Sequence, residues 1–481
     1  MSNTCDYPKL YSYLKDNLNK YQNTLHRPED LTKDSDYEGN ILHTVFYREY
    51  KRSTWYFQYP ELVPCTYLGD NGDGYPLYCY RVKTNSHILY NSDLCQKLPS
   101  IECQQGFRAK WTPNIGSNIF FSGELTFNDT HIHGFDYTYN DIHNQFMLSD
   151  KEKNINNINI GNIPTYKEFS DKIPQYDTSI KLPWFYQEST KSFPLYYCSI
   201  LDKIEHKISL RRNINDVLIV IDDDGNKVSA DATSLLRIDG MDNINENLTL
   251  PTPQMWATYI YLSDIECEAN KNMCEKMGHL HEVKNVFHFN DIIRLESENP
   301  IQLGNSINIK IQASEYPVTN ISWVAQNQKA LSEKYYSNYS TNSEDASVGW
   351  SPIFNTTLSY GKSLVFKEMP SYRTQRIYPS YQCASIPNEN GYNNWCVGVS
   401  ALGELHIPGI IIKDGYIQVK LLDTNPNLKF KIEEKSQDLF RVIVYLTISK
   451  RLIFENFQTD EKMRNTSNVS IGTQIIIEGS E

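Results

Sequence analysis

The chain predicts an all-β protein built as two antiparallel sandwiches in tandem, and three observations carry that expectation. Short segments alternate apolar and polar residues with a period of two, which sends successive side chains to opposite faces of a strand. Turn signals rich in Gly, Asn and Asp separate these segments, and a polar, Pro-punctuated stretch at 241–253 divides the series into two sets. The 481 residues are 40% hydrophobic and 12% aromatic, with 34 tyrosines, which is ample material for two cores and excludes global disorder.

Composition also narrows function. Lys and Arg number 46 against 58 Asp and Glu, a formal net charge of −12. That is the reverse of the electrostatic footprint of a nucleic-acid-binding protein, so direct nucleic-acid binding is not expected. The 10 cysteines are irregularly spaced with no CxxC pair, which gives no zinc framework. Residues 1–16 lack the apolar core of a signal peptide, so reduced thiols and an intracellular origin are expected. No apolar run reaches the length of a membrane span.

In chain order, Leu10, Leu14, Leu18, Tyr21 and Leu25 recur at helical spacing and predict a short amphipathic helix in an N-terminal arm. Strand signals begin at 44–52 and 53–63. Residues 68–76, LGDNGDGYP, read as a turn, because Gly69 stands where a calcium loop needs a ligand. Ile119, Phe121, Leu125 and Phe127 then alternate with Asn118, Ser122, Glu124 and Thr126 in a half-buried strand. Asn128-Asp129 turns this strand into a second one through Ile132 and Phe135. Residues 148–180 are polar and read as a long surface loop. Ile204, His206, Ile208 and Leu210 alternate with Glu205, Lys207 and Ser209 in another strand. Residues 216–231 give a buried strand and a solvated acidic turn, since Val220 occupies the first ligand position of an EF-hand register. A second unit is expected to open at 256–277, an aromatic strand running into an acidic helical stretch, and to continue through 299–311 and 317–328. Residues 329–363 read as another long polar loop, and strands at 410–422 and 439–457 close the unit. The expected domains are a helical arm over 1–40, sandwiches over 41–240 and 241–458, and a tail over 459–481.

Two His-x-His pairs, His131/His133 and His279/His281, are the strongest chemical signals. On a strand this spacing puts both imidazoles on one face, as a metal-binding jelly roll of the cupin type requires. The supporting Glu and Gly are missing: Asp136 follows His133 without a suitably placed Gly, and Glu282 directly adjoins His281. No GxSxG, phosphate-cradling loop or supported Cys-His arrangement occurs. No catalytic, cofactor or metal residue is assigned, and the chain reads as a structural protein and not an enzyme. The N-x-S/T triplets at Asn128, Asn247, Asn320, Asn338, Asn355, Asn465 and Asn468 read as chance products of an Asn-rich chain.

The stretch 108–146 also carries a resemblance. Its blocks WTPNIGSNIF (111–120), ELTFND (124–129) and FDYTYNDIH (135–143) follow in the order of the major capsid protein family of nucleocytoplasmic large DNA viruses, especially the iridovirus-like branch. That family has an Arg/Lys-Trp, an Asn-x-Gly, a strand ending in Phe-Asn-Asp and a Phe-Asp-x-Tyr. Leu182-Pro183-Trp184-Phe185, Pro194-Leu195 and Glu205 to Ile208 resemble its next blocks, and Pro317-Val318 with Ile321 to Val324 a later strand. The resemblance spans most of 44–330 in blocks, plus the last strands.

It implies that the two sandwiches are jelly rolls, a double jelly roll with long loops. The implied function is a structural subunit of an icosahedral virus shell, self-assembling as a homotrimer into a pseudo-hexagonal capsomer. Its implied partners are itself, neighbouring capsomers and minor capsid proteins. Its implied location is the virion, after assembly in the host cell cytoplasm. Two rivals stand beside this reading: a carbohydrate- or receptor-binding sandwich using the tyrosine-rich loops, and a cupin-like metal-dependent enzyme.

Overall fold

The computed structural model describes residues 57–83, 88–187, 193–195, 203–228, 236–238, 249–261, 285–361, 363–397, 409–423, 438–456 and 473–479. The N-terminal helix, the strand at 44–52 and the acidic stretch after 261 lie outside these residues. The principal strands are β1 (Phe57–Pro64), β2 (Thr66–Asp70), β3 (Pro76–Arg81), β4 (Ile88–Leu98), β5 (Phe107–Trp111), β6 (Phe120–Phe127), β7 (Thr130–Asp136), β8 (Tyr176–Lys181), β9 (Ile204–Leu210), β10 (Leu218–Asp222), β11 (Gln254–Tyr261), β12 (Asn285–Glu296), β13 (Ser306–Asn327), β14 (Ile353–Tyr360), β15 (Ser363–Pro370), β16 (Asn393–Cys396), β17 (Ile410–Leu421), β18 (Leu439–Asn456) and β19 (Thr473–Gly479). Their ladders are antiparallel, and the chain folds as two jelly rolls.

The first sandwich packs the sheet β1-β11-β4-β8 on the sheet β2-β3-β9-β6-β7. At the centre of the second of these sheets, β9 pairs β3 on one edge and β6 on the other. The segment 182–187 runs into the core and buries Trp184, Phe185 and Tyr186. Room for Trp184 comes from Gly123, where a Cβ would lie 3.0 Å from the indole and 3.2 Å from Phe120. The hairpin between β6 and β7 turns through Asn128 and Asp129 at φ 45° and 66°. Two successive left-handed residues give the type I′ geometry that matches strand twist.

The second sandwich is one sheet that serves as both layers, in the order β12-β18-β13-β17-β14-β15. Strand β13 runs for 22 residues, which would span roughly 70 Å if straight, too far for one layer. It bends instead. Residues 306–313 pair with β17 and residues 318–327 pair with β18, with a register break between Ala313 and Val318 around Pro317. A proline tolerates such a corner because no ladder hydrogen bond is asked of it there. Gly409 lets the chains approach, since a Cβ at that position would lie 2.6 Å from the Pro317 ring.

Several expectations are corrected. The second unit does not open at residue 241 or at Trp256: β11 lies between β1 and β4 as an inner strand of the first sandwich. The tail beyond 458 is not separate either, because β19 pairs with the end of β18. Residues 148–180 are not a loop. They hold α3 (Asp150–Asn159), after α1 (Ile115–Ile119) and α2 (Tyr137–Phe146), then a helical turn and β8. The Ser149 side chain accepts from Glu152 N and the Glu152 carboxylate reaches back to Ser149 N, a capping box that starts α3. In β6 the expected in/out pattern is offset by a bulge at Phe121, so Phe120 is buried and Phe121 turns outward toward Tyr75, with ring centroids 4.2 Å apart.

Candidate functional site

Among the described residues, a heavily built feature is the seam where the two sandwiches meet. From the first come β7, α1, α2 and α3; from the second come β12, the ends of β13 and β18, and the loops 333–352 and 384–392. Asp136 ends β7 and caps α2, its carboxylate accepting from Tyr139 N at 2.8 Å. The same carboxylate accepts from the Tyr445 hydroxyl at 2.6 Å and pairs with Arg294 at 3.1 Å, both from the second sandwich. Burial raises the Asp136 carboxyl, and these donors offset part of the rise. Beside it, Lys450 donates to Asp291 at 2.6 Å in a pair that is only 12% and 5% exposed. Asp291 also accepts from Gly134 N of β7 at 3.3 Å.

The span 329–363, expected as a long polar loop, ends in strand β14, and its residues 333–352 form a wall of this seam. Tyr335, Ser337, Asn338 and Tyr339 are buried. Tyr336 donates to Asp216 O at 2.6 Å, Ser337 to Asn118 Oδ1 at 3.0 Å and Tyr339 to Asp141 at 3.0 Å. Thr112 Oγ1 donates to Lys334 O. Arg211, buried after β9, lies between the rings of Tyr137 at 4.3 Å and Tyr336 at 4.2 Å, one from each sandwich. Its guanidinium donates to Asn118 O at 2.9 Å. A desolvated cation stacked in this way is worth about 2 kcal/mol. Sequence reasoning passed over Arg211. The available signal was the density of tyrosines at 335, 336 and 339, which is too aromatic for a solvated loop.

Next to this wall lies a cleft of about 510 Å³ between the sandwiches. Lys110 and Lys167 stand on its first-sandwich side, facing Glu344, Asp345 and Glu389 on the other. Lys110 sits 4.5 Å from the Phe169 ring and 5.3 Å from the Tyr335 ring, and burial lowers its pKa. Asp141 is buried against Tyr339, and burial pushes its carboxyl up to about 7 against the hydrogen bonds from Ser337 and Tyr339.

The sequence candidates fall elsewhere. A bulge at Ile132 pairs His131 with Thr126 and His133 with Leu125, adjacent residues on β6, so the two imidazoles occupy opposite faces. His131 is half exposed and binds Glu124 at 2.8 Å, whereas His133 is buried against Phe135, Trp184 and Phe185. The spacing therefore does not bring two ligands together. His279 and His281 lie outside the described residues. The acidic turn after β10 is closed by Asp222, which accepts from Asn226 N at 2.7 Å. In the 68–76 turn, Asn71 Oδ1 accepts from Tyr75 N at 2.8 Å. Asn320 and Asn338 are buried, which closes those two triplets to modification of the folded chain.

Some apolar side chains stay uncovered. Leu62 and Trp256 are register partners on β1 and β11 and are 39% and 40% exposed. Tyr90, in a bulge of β4, lies exposed in the same sheet. The second sandwich exposes Trp350, Phe354, Tyr372 and Tyr381.

Comparison with known proteins gives consistent relatives. The family model described as major capsid protein N-terminus matches residues 44–263. The chain is 22% identical over 378 residues to the major capsid protein of Simulium iridescent virus, covering 74% of this chain and 76% of that protein. It is 23% identical over 387 residues to that of Lymphocystis disease virus 1 (isolate Darai), covering 76% and 79%. Among solved structures, the Faustovirus major capsid protein matches with a TM-score of 0.60 at 8% identity, over 83% of this chain and 91% of that one. The PBCV-1 virus capsid matches with a TM-score of 0.57 at 10% identity, over 83% and 95%. At such identities the structural likeness is one of fold.

Proposed function

We propose that this chain, a relative of the major capsid proteins of large DNA viruses, is a structural subunit of an icosahedral virus shell. The observation that carries the reading is the fusion of two jelly rolls through a buried, hydrogen-bonded seam, in a chain similar to major capsid proteins over three quarters of its length. A rigid double sandwich is a tile: its two halves present different side faces at a fixed angle. Three such chains in a closed ring make six sandwiches, a pseudo-hexagonal outline, with sandwich one of one chain against sandwich two of the next. The exposed Leu62–Trp256 pair and the exposed aromatic residues of the second sandwich support such a contact, because interface cores favour aromatic side chains.

In this reading the role is structural and not catalytic, the place is the virion, and assembly precedes it in the host cytoplasm. Neighbouring capsomers and minor capsid proteins are the further partners. We place the change from first to second sandwich between Tyr261 and Asn285, where the pairing partners change. Light scattering of the purified chain tests the proposal. A trimer mass that holds down to low micromolar concentration is expected, since a permanent interface buries on the order of 2,000 Å² or more. A folded monomer under those conditions would reject the tile and favour the glycan-binding sandwich.

A further inference from the structure

Two cysteines, one partly exposed and one buried, stand at the base of the segment that ties the second sandwich to the first. Residues 384–392 leave the second sandwich, cross to α2 and α3, and return as β16. Ala384 N donates to Phe146 O at 3.0 Å, Ser385 Oγ to Leu148 O at 2.7 Å, Asn388 N to Gln145 Oε1 at 3.0 Å, and Lys153 Nζ to Ile386 O at 2.6 Å. Tyr392, at the far end, is buried against Tyr339 with ring centroids 5.0 Å apart. This strap is closed at its stem by Cys383, just after a helical turn at Pro379–Gln382, and by Cys396, the last residue of β16.

The two sulfurs share one donor. One amide, Asn394 Nδ2, donates to Cys383 Sγ at 3.1 Å and lies 3.7 Å from Cys396 Sγ. That amide is itself fixed, because Asn394 is fully buried and accepts from Ser322 Oγ at 2.7 Å. The Cys396 thiol also lies 3.9 Å from Gln382 O, to which it donates. Both thiols are free, and Cys383 is the more exposed of the two.

We propose that Cys383 and Cys396 form a closable dithiol, and that oxidation by a small disulfide joins them across the stem of the strap and locks the seam. The Cys383 thiolate attacks one sulfur of the small disulfide and expels a small thiolate, leaving a mixed disulfide at residue 383. The Cys396 thiolate then attacks the Cys383 sulfur, expels the second small thiolate and completes the internal bond. Two protein thiols are oxidised, one small disulfide is reduced to two thiols, and the two protein protons end on those products. The pairing with Cys396 and burial push the Cys383 thiol up, while Cys383 and Asn394 lower the pKa of Cys396 against its burial. Exposure and not acidity therefore makes Cys383 the sulfur that meets the small disulfide and Cys396 the one that resolves it. Closure constrains the short strap loop and holds its ends where the docking geometry needs them.

The test treats the full chain with glutathione disulfide or with dithiothreitol, alkylates it, and maps peptides without reduction. A linked Cys383–Cys396 peptide is expected, together with a rise of about 2–5 °C in the unfolding midpoint. Both changes should be absent in Cys396→Ser. Hydrogen exchange on the unsubstituted chain needs no variant, and amides of 384–392 should exchange about tenfold more slowly after oxidation. A glutathione adduct that persists on Cys383, or both thiols still alkylating after oxidation, would overturn the dithiol. A linked peptide with unchanged midpoint and exchange would overturn the lock.

Discussion

The two sandwiches share a fold class but hold their layers together by different means. In the first, two separate sheets are bridged by polar groups inside the core. The Tyr80 hydroxyl meets the Tyr259 hydroxyl at 2.7 Å, and Tyr186 links Ser92 at 2.6 Å to His206 at 2.7 Å. Trp184, Phe120, Phe127 and Phe135 fill the space around these bridges. In the second, the core is largely aliphatic, with Ile309, Ile311, Ile321, Ile417, Val419, Val442, Val444 and Leu446 around Trp323. There the layers are already joined covalently, because β13 bends from one to the other. The sandwich of two sheets spans its core with rings and directional bonds, whereas the folded single sheet fills its core mainly with aliphatic side chains.

The comparison breaks hardest at the central tryptophans. Trp184→Ala and Trp323→Ala each remove a fully buried indole and should each cost about 3–5 kcal/mol. The first core continues across the seam through Phe289, Val324, Ile443 and Tyr445. Both variants should therefore lower one shared calorimetric transition. Two separate transitions, each moved by only one of the variants, would show that the sandwiches unfold independently.

At the seam itself, Lys450→Met leaves the Asp291 carboxylate buried without its partner and should cost about 3 kcal/mol in chemical denaturation. Adding Asp291→Asn should recover most of that loss, because the uncompensated charge is gone. Equal losses in the single and double variants would assign the effect to packing of the lysine stem instead.

How much of this was legible in the residues follows from what each signal encodes. The β6–β7 hairpin could be read because Asn-Asp tolerates the left-handed turn and the flanking alternation is strong. The bulges at Phe121 and Ile132 could not, since one inserted residue shifts the face of a neighbour without changing composition. That is why the His-x-His spacing pointed to one face when the strand delivers two. The start of α3 was written in Ser149 and Glu152, but a polar helix with little apolar periodicity resembles a loop. Strand β11 reads as the opening of a second unit because its partners, β1 and β4, are distant in sequence. The seam needed tertiary pairing as well: Arg211, Asp141 and Tyr339 carry no local pattern that brings them together.

The first sandwich and the seam also differ in how acid acts on them. His206 is fully buried, and burial with nearby His133 pushes its pKa down to about 3. The unfolded chain binds this proton near pH 6.5. The stability contributed by neutral His206 is therefore present above about pH 6.5 and lost as pH falls toward 3. His206→Gln, which can still accept from Tyr186, should flatten that acid limb by about 2 kcal/mol in denaturant midpoints measured between pH 6.5 and 4. An unchanged limb would assign acid sensitivity to other groups.

Asp141 at the seam should show the smallest effect, with the opposite slope. Its carboxyl is raised to about 7 in the folded chain, against roughly 3.9 when unfolded. The folded state holds the proton between these values, so this group makes the protein less stable as pH rises through that window. Glu389 adds to the rise, while Arg211, Ser337 and Tyr339 oppose it. Asp141→Asn keeps an oxygen to accept from Tyr339 and removes the charge that burial disfavours. It should stabilise the chain by about 1 kcal/mol at pH 8, with little change near pH 4. Denaturant midpoints at the two pH values read the difference directly. Destabilisation by Asp141→Asn at pH 8 would mean that the ionised carboxylate is the form the seam prefers, and that Arg211 and the two hydroxyls outweigh its burial.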